Sequence, residues 1–248
     1  MPFATLEQSA FMLAAAGLFL AGVVKGATGL GYASCALPFL TLAIGLKTAM
    51  ALVIFPAMAT NVSLALSTGH LRETLGRFKL LYVAMLPGIV VGIHLLALVS
   101  AASALHLLGV TIMAYVALAL FKPRLSLPHR YRAVLQVPAG FFNGVMTGLT
   151  GAQVMPLFPY IMALDLDSSR TLQAINIAVL IGSAILGVGL LAAGIMTLPL
   201  LGLSMLAAAP ALFGVALGEA ARKKLPIDAF RRLSLLTLFL MGGLMLAR

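Results

Sequence analysis

Long apolar runs, interrupted by short basic loops, constrain this chain more than any other feature. Breaking the sequence at charges, Pro and Gly leaves ten apolar segments. They run approximately 9–25, 28–45, 47–68, 78–98, 101–120, 134–148, 151–164, 170–193, 199–218 and 229–247. Several reach the roughly 20 residues that a helix needs to cross a bilayer. An isolated strand in lipid leaves its backbone unbonded, and most of these runs exceed the length of a barrel strand, so all ten read as helices. The expected fold class is therefore all-α integral membrane. Composition agrees, since 62% of the chain is hydrophobic and 9% is charged, against about 25% charged residues in a soluble domain. Cys35 is the single cysteine, which excludes an internal disulfide.

The charges set an orientation. Arg72, Arg77 and Lys79 share one loop, Lys122, Arg124, Arg130 and Arg132 a second, and Arg222, Lys223, Lys224, Arg231 and Arg232 lie in and beside a third. The connections near Ser100 and near Gly194 to Thr197 carry no basic residue. The positive-inside rule places the three basic loops in the cytoplasm and the bare turns outside. Ten spans then put both termini outside, with the first five running opposite to the last five, the parity of an inverted repeat. The net charge of +10 follows from these loops and from anionic lipid headgroups beside them. It requires no nucleic-acid partner.

The repeat is visible in the residues. Gly22, Gly26 and Pro38 correspond to Gly140, Gly144 and Pro156 at an offset of 118. The expected organisation is a first repeat over 1–120, a basic linker over 121–133 and a second repeat over 134–248. Each repeat is a broken or re-entrant helical hairpin followed by three transmembrane helices. Gly and Thr inside the hairpins disfavour continuous helix, at about 1 kcal/mol per Gly relative to Ala. Two half-helices are therefore expected to meet near the bilayer midplane in each half, their positive N-terminal ends facing an anion site.

The blocks GATGLGYASCALPFL (26–40) and GFFNGVMTGLTGAQVMPLFPYIMALDLDSSRTLQAIN (140–176) resemble the sulfite exporter TauE/SafE family of bacterial membrane permeases. The resemblance extends over nearly the whole chain. It implies a multi-pass protein of the bacterial inner membrane that moves sulfite, sulfonates, sulfoacetate or related small anions, outward in the usual case. It implies no cofactor and no metal. Membrane lipids are the expected surroundings, and a homodimer is left open.

Lys25 is the sharpest candidate within these blocks. An ammonium deep in a membrane faces a cavity or a partner, and it would bind a sulfonate or carboxylate by charge-assisted hydrogen bonds. The plain alternative is an interfacial anchor at the end of a full span. Asn143 offers neutral donors to substrate or to a neighbouring helix. Thr28, Ser34, Thr147, Thr150 and Gln153 either complete an oxyanion cradle or bond back to their own helices. The turn glycines Gly29, Gly31 and Gly151 join the set through their backbone. Asn61 and Asn176 on the following helices are placed to line the cavity, with Gln173 one turn before Asn176. Asp165 and Asp167 read as a helix-starting loop.

Other classes fare worse. HExxH, GxSxG and GxxxxGK are all missing from the sequence, so metalloprotease, Ser-hydrolase and nucleotide-driven readings lack their motifs. The chain reads as a transporter rather than an enzyme. An anion channel, or an importer of another small anion, is the remaining alternative, since opposed re-entrant segments also suit a pore. No carboxylate pair lies within the apolar segments, so the sequence points to no proton or sodium coupling.

Overall fold

The computed structural model describes residues 8–67, 69–121, 125–222 and 227–247. Lys122, Arg124, Lys223 and Lys224 of the basic loops lie outside the described residues. Twelve helices are found among those described: α1 Gln8–Thr28, α2 Tyr32–Ile44, α3 Leu46–Ser67, α4 Leu71–Arg77, α5 Lys79–Leu98, α6 Ala101–Phe121, α7 His129–Arg132, α8 Gln136–Thr150, α9 Leu157–Met162, α10 Ser168–Ala192, α11 Leu198–Arg222 and α12 Ile227–Leu246. Each of the ten apolar segments contains one helix, and α4 and α7 are extra short helices within the basic loops. The protein is all-α, with no strand among the described residues. Among the described residues, five helices are long and apolar enough to cross a membrane: α1, α5, α6, α10 and α11. At 1.5 Å per residue they extend about 30–37 Å. Large apolar side chains such as Phe11, Leu98, Phe121 and Leu198 are exposed, as a bilayer-facing surface requires.

Two glycine seams hold the bundle together. Gly22 and Gly26 of α1 face Gly214 and Gly218 of α11, while Gly88 and Gly92 of α5 face Gly144 and Gly148 of α8. A Cβ at Gly26 would stand 2.1 Å from the Val215 carbonyl oxygen, and one at Gly148 would stand 2.3 Å from that of Ile89. Backbone meets backbone along both seams. Lipid supplies no hydrophobic drive between helices, so this close approach is how small residues stabilise their association.

The local pattern recurs 122 residues along the chain. Thr28 donates to the Val24 carbonyl at 2.8 Å and accepts from the Leu30 N–H at 3.3 Å. Thr150 donates to the Met146 carbonyl at 2.7 Å and accepts from the Ala152 N–H at 3.2 Å. Gly29 and Gly151 follow at φ 81° and 75°, a left-handed backbone that favours Gly. Further along, Ser204 donates to the Leu52 carbonyl at 2.9 Å and Tyr82 to the Ala174 carbonyl at 3.2 Å. This spacing differs by one helical turn from the offset of 118 that relates Gly22, Gly26 and Pro38 to Gly140, Gly144 and Pro156 in the sequence.

The hairpins also differ from expectation. α1 is a continuous helix of 21 residues, about 31 Å long, rather than a half-helix. Its glycines do not break it, because in lipid every backbone group must stay bonded and the seam with α11 needs those glycines. In the second half α8 has 15 residues and α9 has six, so neither is a full span.

One end of the bundle carries a charged lattice. Arg170, at the start of α10, bonds Glu73 of α4 at 3.0 Å and Asp167 at 2.6 Å. Asp167 accepts from the Arg170 N–H at 2.9 Å, which is the helix-capping role expected of it. Arg132 reaches Asp165 at 3.4 Å, and Tyr160 donates to the Arg132 carbonyl at 2.6 Å. These bonds bring the α3–α5 connection, the 125–135 segment and the 163–170 loop to the same end.

Candidate functional site

Lys25 lies one turn from the end of α1. Beyond it, Gly29 and Gly31 at φ 81° and 84° reverse the chain into α2. This reversal directs Lys25 and the first turn of α2 toward α3 and α10. Lys25 Nζ donates to Asn61 Oδ1 on α3 at 2.7 Å and to Asn176 Oδ1 on α10. The Asn61 amide nitrogen donates to the Ala57 carbonyl at 2.6 Å. That of Asn176 donates to the carbonyls of Leu172 at 2.7 Å and Gly29 at 3.3 Å. Each amide is thus anchored by its nitrogen to backbone and turns its oxygen to the ammonium.

Lys25 is 2% exposed, and Asn61 and Asn176 are each 1% exposed. Among the described residues no carboxylate pairs with Lys25; every ion pair lies in the charged lattice or in its His70–Glu73 neighbour. A buried positive charge held only by neutral amides favours an anion nearby. An ammonium has three donors, so one remains beyond the two asparagines. Lys25 sits in a full-length helix, as the plain alternative has it, yet it is enclosed by protein and is not an interfacial anchor.

A small cavity adjoins this cluster, lined by Lys25, Gly31, Tyr32, Ser34, Asn61, Gln153 and Asn176 among others. About 20 Å³ is open to the centre of a water molecule, room for about one water. The first turn of α2 forms part of its wall. Gly31 caps that helix without any side-chain bond, so the leading N–H groups and the positive helix end add to the field of Lys25. Leu30, Gly31, Phe158 and Ile175 line both this cavity and a second one of about 570 Å³, which extends to Ser168, Thr171 and Arg222 at the charged end.

The expected site residues divide. Lys25, Gly31, Ser34, Gln153 and Asn176 are gathered at the small cavity. Thr28 lines the larger one, and Gly29 accepts a bond from Asn176. Gln153 donates to Ser183 at 2.9 Å and keeps its buried Oε1 without a partner, so it presents an acceptor rather than an anion donor. Thr147 and Thr150 bond back to their own helix. Gly151 packs against Met50 and Leu37. Asn143 is fully buried, and neither of its amide atoms has a partner. Asn143 and Gln173 both lie outside the cavity wall. Tyr32 and Phe158 were missed; a Tyr directly after the turn glycines was the available signal.

The sulfite exporter TauE/SafE family model matches residues 13–245, nearly the whole chain and every element of this site. The chain belongs to the sulfite exporter TauE/SafE family. It is a multi-pass membrane protein of a transporter family. Neither a curated protein nor a solved structure matches it. The TauE/SafE match covers both hairpins and both glycine seams, so the Lys25 cluster lies within the region that defines the membership.

Proposed function

We propose that this protein carries a small sulfur oxyanion or sulfonate, such as sulfite or sulfoacetate, out across the bacterial inner membrane. The carrying observation is the buried Lys25 ammonium, bonded to two neutral amides and to no carboxylate among the described residues. An anion entering the cavity gains the free donor of Lys25 and the leading N–H groups of α2, in a low-dielectric site where such bonds are strong. Asn61 and Asn176 orient the ammonium, and Ser34 adds a hydroxyl to the wall.

The mechanism is alternating access between two inverted halves, 1–120 and 134–248, joined by the linker 121–133. Support comes from the recurrence at 122 residues and from the exchange of partners. α1 of the first half packs on α11 of the second, and α8 of the second packs on α5 of the first. The charged end faces the cytoplasm and both termini lie outside, as the basic loops require. The larger cavity then opens inward, toward the compartment from which an exporter loads.

The test is flux of labelled sulfite in proteoliposomes, with acetate as the matched carboxylate. A carrier gives saturable flux that Lys25→Met abolishes. Unitary currents in a planar bilayer, or sulfite flux unaffected by Lys25→Met, would reject this mechanism.

A further inference from the structure

Two buried polar atoms at the Lys25 cavity have no partner among the described residues. Tyr32 opens α2 and is 2% exposed, and its hydroxyl is unbonded. Gln153, between α8 and α9, is 4% exposed. Its amide nitrogen donates to Ser183 of α10 at 2.9 Å, which leaves its Oε1 over. Both residues line the cavity with Lys25 and Ser34. Burial without a bond costs free energy that a bound ligand can return. The third N–H of Lys25, the leading N–H groups of α2 and the Ser34 and Tyr32 hydroxyls all suit the oxygens of an anion. Gln153 Oε1 does not. An amide oxygen only accepts, so it repels a bare oxyanion and needs a hydrogen from the ligand.

We propose that Gln153 makes the site specific for a singly charged oxyanion that carries its own hydroxyl, which for sulfite is hydrogensulfite. The inference rests on the anion-carrier reading and assigns the protonation state of its substrate. The charged oxygens of the ligand face Lys25 and the start of α2, while its hydroxyl donates to Gln153 Oε1. Sulfate, acetate or a sulfonate without a hydroxyl leaves that acceptor unmet and binds less tightly. A buried acceptor discriminates in this way because, once closed off from water, its missing bond is penalised in full. No carboxylate lines either cavity. The proton therefore crosses on the substrate itself rather than on a side chain.

The experiment is a calorimetric titration of the protein in lipid nanodiscs at pH 7 with two pairs of anions matched in charge and close in shape. Hydrogenselenite and chlorate are both pyramidal, and hydrogencarbonate and nitrate are both planar. The first of each pair alone carries a hydroxyl. Hydrogenselenite is expected to bind at least about tenfold more tightly than chlorate, and hydrogencarbonate than nitrate, the effect of leaving one buried acceptor unmet. Gln153→Met should erase the preference and bring hydrogenselenite to the level of chlorate. Chlorate or nitrate binding as tightly as its hydroxylated partner overturns the inference and leaves the Lys25 anion site standing. A preference that survives in a folded Gln153→Met overturns it equally, because the acceptor then lies elsewhere. Should that variant not fold, the two wild-type pairs decide. If none of the four anions binds, the anion-carrier reading fails and this inference with it.

Discussion

Lys25 of α1 donates to Asn61 of α3 at 2.7 Å, with both side chains closed off from solvent. Asn176 of α10 completes the contact from the other half of the chain. The ammonium thus joins three helices through neutral acceptors, and its charge stays available to a ligand. Asn61→Asp or Asn176→Asp keeps the shape but supplies an internal counter-ion. Either change is expected to lower anion affinity at least tenfold, because the new carboxylate competes for Lys25. The lost amide donor costs about 1 kcal/mol of stability in each case. Isothermal titration with sulfite checks this, and undiminished affinity would show that the anion binds elsewhere.

The glycine seams predict a contrast within one helix. A Cβ at Gly214 would stand 2.4 Å from the Phe19 carbonyl oxygen, whereas one at Gly202 meets nothing within 4 Å. Gly214→Ala must push α1 and α11 apart and is expected to cost about 1–3 kcal/mol or more. Gly202→Ala should be neutral or stabilising by up to about 1 kcal/mol. Thermal unfolding of the two purified variants gives the comparison, and equal midpoints would mean that the seam does not hold the bundle.

The same seams explain what was legible in the sequence. Apolar runs and basic loops sufficed to place the ten apolar helices, because length and hydropathy determine what crosses lipid. The repeat is read through Gly22 and Gly26, but a GxxxG spacing realigns with itself after one turn. The glycines alone therefore do not separate an offset of 118 from the 122 at which the Thr28 and Thr150 turns recur. Gly content also suggested a broken first helix, although α1 uses its glycines for contact. At the site, Lys25 could be singled out by its cost in a membrane. Its partners lie 36 and 151 residues away, and no local pattern ties them to it. The Thr side chains carried no such signal, since a hydroxyl in a helix bonds its own backbone as readily as a ligand.

The charged end makes a prediction about pH. Arg170 holds the Glu73 carboxyl below its ordinary value, chiefly through its side-chain hydrogen bond, and Asp167 below its own, chiefly through its backbone N–H and then its side chain. A carboxyl with such a depressed value stabilises the fold above the ordinary carboxylate range, near pH 4, and loses that contribution as pH falls through and below it. These groups are exposed, so the effect is small and is screened by salt. Arg170→Gln should lower the unfolding midpoint slightly at pH 6 in low salt, and the difference from wild type should shrink at pH 3. A difference that persists at pH 3 would assign Arg170 a packing role.

Ligand-induced stabilisation reports directly on an anion site built on Lys25. Thermal unfolding of wild type and Lys25→Met would be followed with sulfite, sulfate, methanesulfonate, sulfoacetate and acetate. Binding to the folded state adds about 2.7 kcal/mol at a hundredfold excess over Kd. The wild-type midpoint should rise with sulfite and the sulfonates and rise less with acetate, and a folded Lys25→Met should show no rise with any of them. Equal shifts in both proteins, or no shift in wild type with any sulfur anion, would contradict an anion site built on Lys25.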